Sequence, residues 1–273
     1  MIQMNNPVED FSWIGSQKDF MDNPEVILLN HIMIGRYGGN TNTGQYKNED
    51  GCLVWLNENE DWEFAIMLDA HNTSESALIT LELFENNKAQ IKHVLSLPTN
   101  RQMFRELEEK ILNMFLSDEF LSACRKITGE TACLIVARKD KYVWWLPVGD
   151  CIVYLFHHEL ARLGQYQLNQ RQFFEWIGEV NTFEQEVPCY SIGIKELRKG
   201  ENHLFLATDG LIECPNELYS KPSKIFKAFY HSKDNESIQT ILKNIQENNV
   251  QDNATIVSWK VNISKEASRP SNQ

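Results

Sequence analysis

Four short carboxylate motifs carry the chemistry available to this chain: Asn48-Glu49-Asp50-Gly51, Leu68-Asp69-Ala70-His71-Asn72, Ala207-Thr208-Asp209-Gly210 and Asp252-Asn253-Ala254-Thr255. The middle two end apolar runs and the outer two precede such runs, so the acids fall at strand ends. There, beside small or amide residues, they are well placed to converge on a hard cation. Mg2+ and Mn2+ prefer oxygen ligands in octahedral geometry and keep several waters. Two such ions sharing a carboxylate can activate a water for in-line attack on a phosphoryl group while neutralising its oxygens. That chemistry needs a pivot acid, further acids and a proton donor for the leaving group. Asp69 is the candidate pivot, Glu49, Asp50, Asp209 and Asp252 are the further acids, and His71 is the candidate donor. Taken singly, each motif is also an ordinary turn. Their order and strand contexts together favour a metal-dependent hydrolase.

The elements that must position these acids are legible as periodicity. Val26 to Gly35, Cys52 to Leu56 and Phe64 to Leu68 read as strands, with turn chemistry over Gly35 to Asn40. Ser74 to Leu97 and Arg101 to Ile127 read as amphipathic helices, divided by Pro98, with Thr99 or Asn100 as a cap. Strands follow over Ala132 to Arg138, Tyr142 to Val148 and Ile152 to Phe156. Gln165 to Pro188 has weak periodicity and reads as a helix plus a mobile loop. Tyr190 to Ile194 and His203 to Thr208 read as strands, Pro215 to Tyr230 and Glu236 to Asn248 as helices, and Ala254 to Val261 as a last strand. Met1 to Asn23 has no assignable pattern. This alternation implies one α+β domain over 1–262 and a disordered tail over 263–273.

Bulk composition narrows the function. The chain has 273 residues, 42% of them hydrophobic, enough for a sizeable core, and a net charge of -12. Such acidity disfavours a nucleic-acid binder or an anionic-membrane binder, and with them a two-metal nuclease or phosphodiesterase. None of the six cysteines forms a Cys-x-x-Cys pair, so they read as buried thiols in a reducing compartment. There is no secretory signal and no membrane-length apolar run, and a cytoplasmic location is expected. His157-His158-Glu159 lacks a third partner at zinc spacing and reads as an exposed loop. Trp144 and Trp145 must face opposite sides of their strand and read as core.

The ordered set resembles the metal-dependent protein phosphatase family, type 2C. Its elements appear here as Glu49-Asp50, Asp69-Ala70-His71-Asn72, Gly129-Glu130-Thr131-Ala132, Gly149-Asp150-Cys151, Thr208-Asp209-Gly210 and Asp252-Asn253-Ala254-Thr255. The resemblance spans roughly Ile34 to Val261. It implies a four-layer α-β-β-α sandwich, two antiparallel sheets flanked by helices, with metals in a cleft at one end. It implies a serine/threonine protein phosphatase acting on phosphorylated proteins with two Mn2+ or Mg2+ ions and a weaker third. Asp69 would bridge both metals. Asp209 and Asp252 would complete one site, and Glu49 with the backbone carbonyl of Ala70 would hold the other. Asp50 would act through water, Asp150 would join Asp209 at the third ion, and His71 would be the general acid. The family's phosphate-clamping arginine is replaced by Gln45, leaving Lys47 or Arg36 as substitutes, and Ala70 and Asn72 replace glycines beside the pivot. These departures motivate an alternative: a phosphatase-fold regulatory or binding module with little turnover.

Overall fold

The structure is a computed structural model that describes residues 9–230, 234–269 and 271. The described residues form twelve strands: β1 (Glu9–Ile14), β2 (Glu25–Leu29), β3 (Ile32–Tyr37), β4 (Gly51–Asn57), β5 (Trp62–His71), β6 (Glu130–Lys139), β7 (Tyr142–Val148), β8 (Ile152–Phe156), β9 (Ile177–Gly178), β10 (Gly193–Glu196), β11 (Gly200–Ala207) and β12 (Ala254–Ile263). The α-helices are α1 (Glu75–Ser96), α2 (Arg101–Phe115), α3 (Asp118–Cys124), α4 (His158–Arg162), α5 (Asp209–Ile212), α6 (Pro222–Tyr230) and α7 (Asp234–Glu247). One sheet runs β1-β4-β5-β6-β7-β10, with β9 on β6, and the other β2-β3-β12-β11-β8. All pairings between these strands are antiparallel.

The period-two alternation of each strand sorts side chains into layers. Leu53, Phe64, Ile66 and Ile135 face α1 to α3, where they meet Leu81, Phe84, Leu107 and Phe115. Val54, Ala65, Met67 and Val136 face the second sheet and pack on Ile34, Val153, Leu206 and Val257. On that sheet's other face Tyr154, Phe205 and Ile256 meet Ile225, Phe229, Ile238 and Leu242 of α6 and α7. The result is the expected four-layer α-β-β-α sandwich. Each fully buried Leu, Ile or Phe contributes about 1.5–3 kcal/mol, and strands covered on both faces read as continuous apolar runs. One buried ion pair, Glu63 with Arg138, lies within this apolar stack, and Trp259 of the opposite sheet donates to Glu63 at 3.1 Å.

Several boundaries differ from the sequence reading. The single strand expected over 26–35 is two, β2 and β3, joined where Asn30 adopts a left-handed φ of 55°. The expected turn at Gly35 begins as buried strand, because Gly35 lets Ile238 and Leu242 press onto β3. The long second helix breaks after Phe115, and Ser117 caps α3 by accepting from the Phe120 N–H. Asn100 caps α2, accepting from the Met103 N–H at 3.0 Å. No α-helix forms over 165–188. Within the N-terminal stretch that showed no pattern, β1 is a true strand, with Asp10 and Ser12 exposed and Phe11 and Trp13 on the covered face. Of the tail expected to be disordered, Ile263 closes β12 and the Ser268 N–H donates to Glu196; residues 270, 272 and 273 lie outside the described residues. Trp144 and Trp145 fall in different cores, as alternation requires. His157 is a correction: it is buried and caps α4 by accepting from the Glu159 N–H. Five cysteines are buried, while Cys189 is exposed.

Candidate metal centre

Strand register carries the acids to one end of the sandwich. The β4–β5 hairpin pairs Gly51 with Leu68, so Glu49 and Asp50 lie beside the end of β5 that bears Asp69. In the other sheet β11 and β12 pair Ala207 with Ile256. Just beyond, the Thr208 N–H donates to the Thr255 carbonyl at 3.1 Å and the Thr255 N–H to Thr208 Oγ1 at 2.8 Å. Asp209 and Asp252 therefore leave adjacent strand ends. The Gly149-Asp150 turn crosses from β7 in one sheet to β8 in the other, and Gly149 supplies its left-handed φ of 88°.

Three carboxylates converge: ligand oxygens of Asp69, Asp150 and Asp209 lie within 4.8 Å of one another. Asp69 Oδ2 also accepts from the Asp209 N–H at 3.4 Å. Asp50 is buried behind them, and its Oδ2 accepts from Thr255 Oγ1 at 2.7 Å and Thr208 Oγ1 at 3.1 Å. Glu49 directly precedes Asp50, its carboxylate held by Lys47 Nζ at 2.9 Å. Asp252 is at the exposed rim, yet its charge acts on Asp50, Asp69 and Asp209. Asn253 ties the first motif to the last: its Oδ1 accepts from the Glu49 N–H at 2.9 Å, and its Nδ2 donates to the Lys47 carbonyl at 3.1 Å. Gly210 is required by the same approach, because a Cβ there would lie 2.0 Å from the Asn253 carbonyl oxygen.

The electrostatics are those of a site built for a cation. Burial, then the charges of Asp209, Asp50, Asp252 and Asp150, pushes the Asp69 carboxyl well above the usual range. Burial does the same to Asp50, offset in part by the Thr255 hydroxyl. Asp209 is raised to about 7, by burial first and by Asp252 and Asp150 next. Asp252 is raised by lost hydration. Asp50 Oδ1, Asp150 Oδ1 and Asp209 Oδ1 are buried acceptors with no hydrogen-bond partner. Like charges held together at low dielectric resist ionisation, and a bound divalent cation inverts that preference. An all-oxygen, acceptor-only donor set suits Mg2+ or Mn2+.

The remaining expected site residues divide. Ala70 lies on β5 opposite Thr131, and the left-handed backbone falls two residues later, at Asn72, with φ 72°. Asparagine tolerates that conformation, so replacing the glycine at 70 costs little. His71 ends β5 with its ring edge-on to Trp176 at 4.9 Å, and its charge acts on Asp252. Lys47 Nζ reaches the Asn72 carbonyl at 2.6 Å, beside the pivot loop. Arg36 is a correction: its guanidinium is buried, paired with Glu25 and stacked over Phe20 at 4.3 Å, so it is spent on the N-terminal strands and offers nothing to a substrate phosphate. Sequence reasoning missed Arg171. Its Nη2 donates to Asp150 at 3.0 Å, to Asp209 at 3.3 Å and to Glu213 at 2.7 Å. No motif marks it; it lies in the segment of weak periodicity, and only tertiary folding brings it to the acids.

No family sequence model and no curated protein sequence matches the chain. Solved structures do. A bacterial serine phosphatase is similar over 86% of this chain and 98% of its own, at 18% identity and a TM-score of 0.62. The serine/threonine phosphatase Stp1 from Staphylococcus aureus is similar over 94% of this chain and 96% of its own, at 15% identity and a TM-score of 0.59. The catalytic domain of the serine/threonine protein phosphatase PstP, solved with two manganese ions, is similar over 94% of this chain and all of its own, at 12% identity and a TM-score of 0.56. The chain thus has the fold of the metal-dependent serine/threonine phosphatases.

Proposed function

We propose that this chain is a metal-dependent serine/threonine protein phosphatase that hydrolyses phosphomonoesters on proteins. The observation that carries this reading is the buried Asp69-Asp150-Asp209 cluster, with unpartnered oxygens on Asp150 and Asp209, at one end of a phosphatase-like sandwich. Two Mn2+ or Mg2+ ions, bound, would supply charge neutralisation for the phosphoryl oxygens and a nucleophilic water at neutral pH.

The chain's own groups take distinct parts. Asp69, between the two sheets' motifs, would be shared between the ions. Asp209 and Asp252 would hold one ion, and Glu49 with the Ala70 carbonyl the other. Asp150 would join Asp209 on the outer side. Asp50, clamped by two threonines, would orient the inner ligands through water. His71, at the rim near Asp252, donates a ring N–H proton to the leaving serine or threonine oxygen. Lys47, the one expected phosphate ligand beside the site, turns from Glu49 to the incoming phosphate as a point charge. We place the protein in the cytoplasm, without nucleic-acid or membrane partners.

The test is hydrolysis of a phosphothreonine peptide and of p-nitrophenyl phosphate in Mn2+, with and without chelator. Chelator-sensitive release of phosphate supports the enzyme. Tight Mn2+ binding without release supports the second reading, a phosphatase-fold binding module. Two observations favour that alternative: Gln45 replaces the clamp arginine, and Arg171 lies against the acids.

A further inference from the structure

Arg171 is held where it is from both sides. Two residues before it, Asn169 is buried; its Oδ1 accepts from the Val153 N–H at 2.8 Å and its Nδ2 donates to the Cys151 carbonyl at 2.9 Å. One residue after it, the Gln172 N–H donates to the Gly149 carbonyl at 3.0 Å. The segment is thus fastened across the turn that carries Asp150. From that anchorage one nitrogen of the guanidinium reaches three carboxylates, Asp150, Asp209 and Glu213. Its plane lies over Phe173, 5.0 Å from the ring centroid. Two of those carboxylates belong to the converging trio, and the third, Asp69, is left to the inner side.

A guanidinium cannot lose its charge in a protein, and one fastened beside its partners costs little entropy to place. A free ion entering between Asp150 and Asp209 must displace it or share its oxygens, at a Coulombic penalty that grows where water is scarce. We infer that Arg171 is a built-in cation occupying the Asp150-Asp209 face, so that this chain binds one divalent ion fewer than its acids could hold. The inference rests on the divalent-metal reading of the cluster and concerns stoichiometry rather than turnover.

The test counts Mn2+ by calorimetry and by loss of the free-ion electron paramagnetic resonance signal, on wild type, Arg171→Gln and Arg171→Gln/Asp150→Asn, each checked for folding by circular dichroism. Arg171→Gln is expected to bind one more ion per chain than wild type, and the added Asp150→Asn is expected to abolish the extra ion. Should Arg171→Gln not fold, Arg171→Met, which keeps the apolar stem over Phe173, is counted instead. Equal stoichiometry and affinity in wild type and the Arg171 variant overturns the inference while leaving the metal site standing. No Mn2+ binding by any of the proteins overturns both.

Discussion

The carboxylate of Asp50 accepts the hydroxyl of Thr255 at 2.7 Å, joining residues 205 positions apart in the chain. Thr208 adds a second hydroxyl to the same oxygen. Asp50 belongs to the first motif, and the threonines flank the last two, so this bond locks the two sheets at the end where the acids meet. Thr255→Val keeps the shape and leaves that buried oxygen only the longer bond from Thr208, at 3.1 Å. It is expected to cost about 1–3 kcal/mol in urea unfolding. It should also weaken Mn2+ binding by about 10–100-fold, the usual effect of losing a group that orients metal ligands. Unchanged Mn2+ affinity would remove Asp50 from the site.

Asp69→Asn and Asp209→Asn each remove a charge from the converging trio while keeping its volume. Hydrolysis of a phosphothreonine peptide in Mn2+ should fall by about 100-fold or more, a loss of about 3 kcal/mol of transition-state stabilisation. The metal-free variants should be no less stable than wild type at pH 8, since each relieves repulsion. Wild-type rates in both would defeat the catalytic assignment.

The raised acids set a pH dependence. Unfolded, Asp209 has the ordinary value of 3.8; folded and metal-free it sits near 7. Between those values the folded state binds more protons, so the cluster's stabilisation is present below about pH 4 and lost as pH rises through 7. Burial lowers His157 from 6.5, which pulls the opposite way at acidic pH, so the informative quantity is the Mn2+ effect at each pH. At a hundredfold excess over its dissociation constant, Mn2+ should stabilise by about 2.7 kcal/mol, or roughly 5–10 °C in Tm. That shift should be larger at pH 8 than at pH 5 and should shrink in Asp209→Asn. A shift independent of pH, measured by scanning fluorimetry, would mean that protons and metal do not compete here.

Glu63 is a structural acid, remote in role from the site. It pairs with Arg138 and accepts from His31 at 2.9 Å and Trp259 at 3.1 Å. Burial pushes its carboxyl up, but these partners outweigh it and hold it low. Its stabilisation is present at neutral pH and is lost as pH falls below the ordinary carboxylate range. Glu63→Ala leaves Arg138 charged and buried, and should cost about 3–5 kcal/mol with Mn2+ affinity unchanged. A melting temperature within about 2 °C of wild type would show that Asp61, which also pairs with Arg138, is enough to compensate the arginine.

The two halves of the site were unequally legible. Asp69 and Asp209 stood out because each ends an apolar run, and burial on both faces of a sandwich strand writes itself as such a run. Asp50 and Asp252 are legible because their motifs directly precede apolar runs, whereas Asp150 is reached only through the family resemblance. Arg36 misled, because a basic residue in glycine-rich sequence gives no sign that Phe11, Trp13 and Phe20 will cover it. Strand β1, which supplies two of those rings, alternates only from Asp10 to Trp13, a run too short to stand out.

Sequence alone determined the layered α+β architecture and which carboxylates stand at strand ends, because periodicity and end position are local properties. Tertiary structure alone decided how close the acids come, which of their oxygens go unpartnered, and which cations of the chain reach them. Those are matters of strand register and loop path. Asp150 and Arg171 are separated by strand β8, helix α4 and the start of a segment of weak periodicity, so their contact at 3.0 Å is set by the bonds of Asn169 and Gln172 rather than by any spacing in the chain.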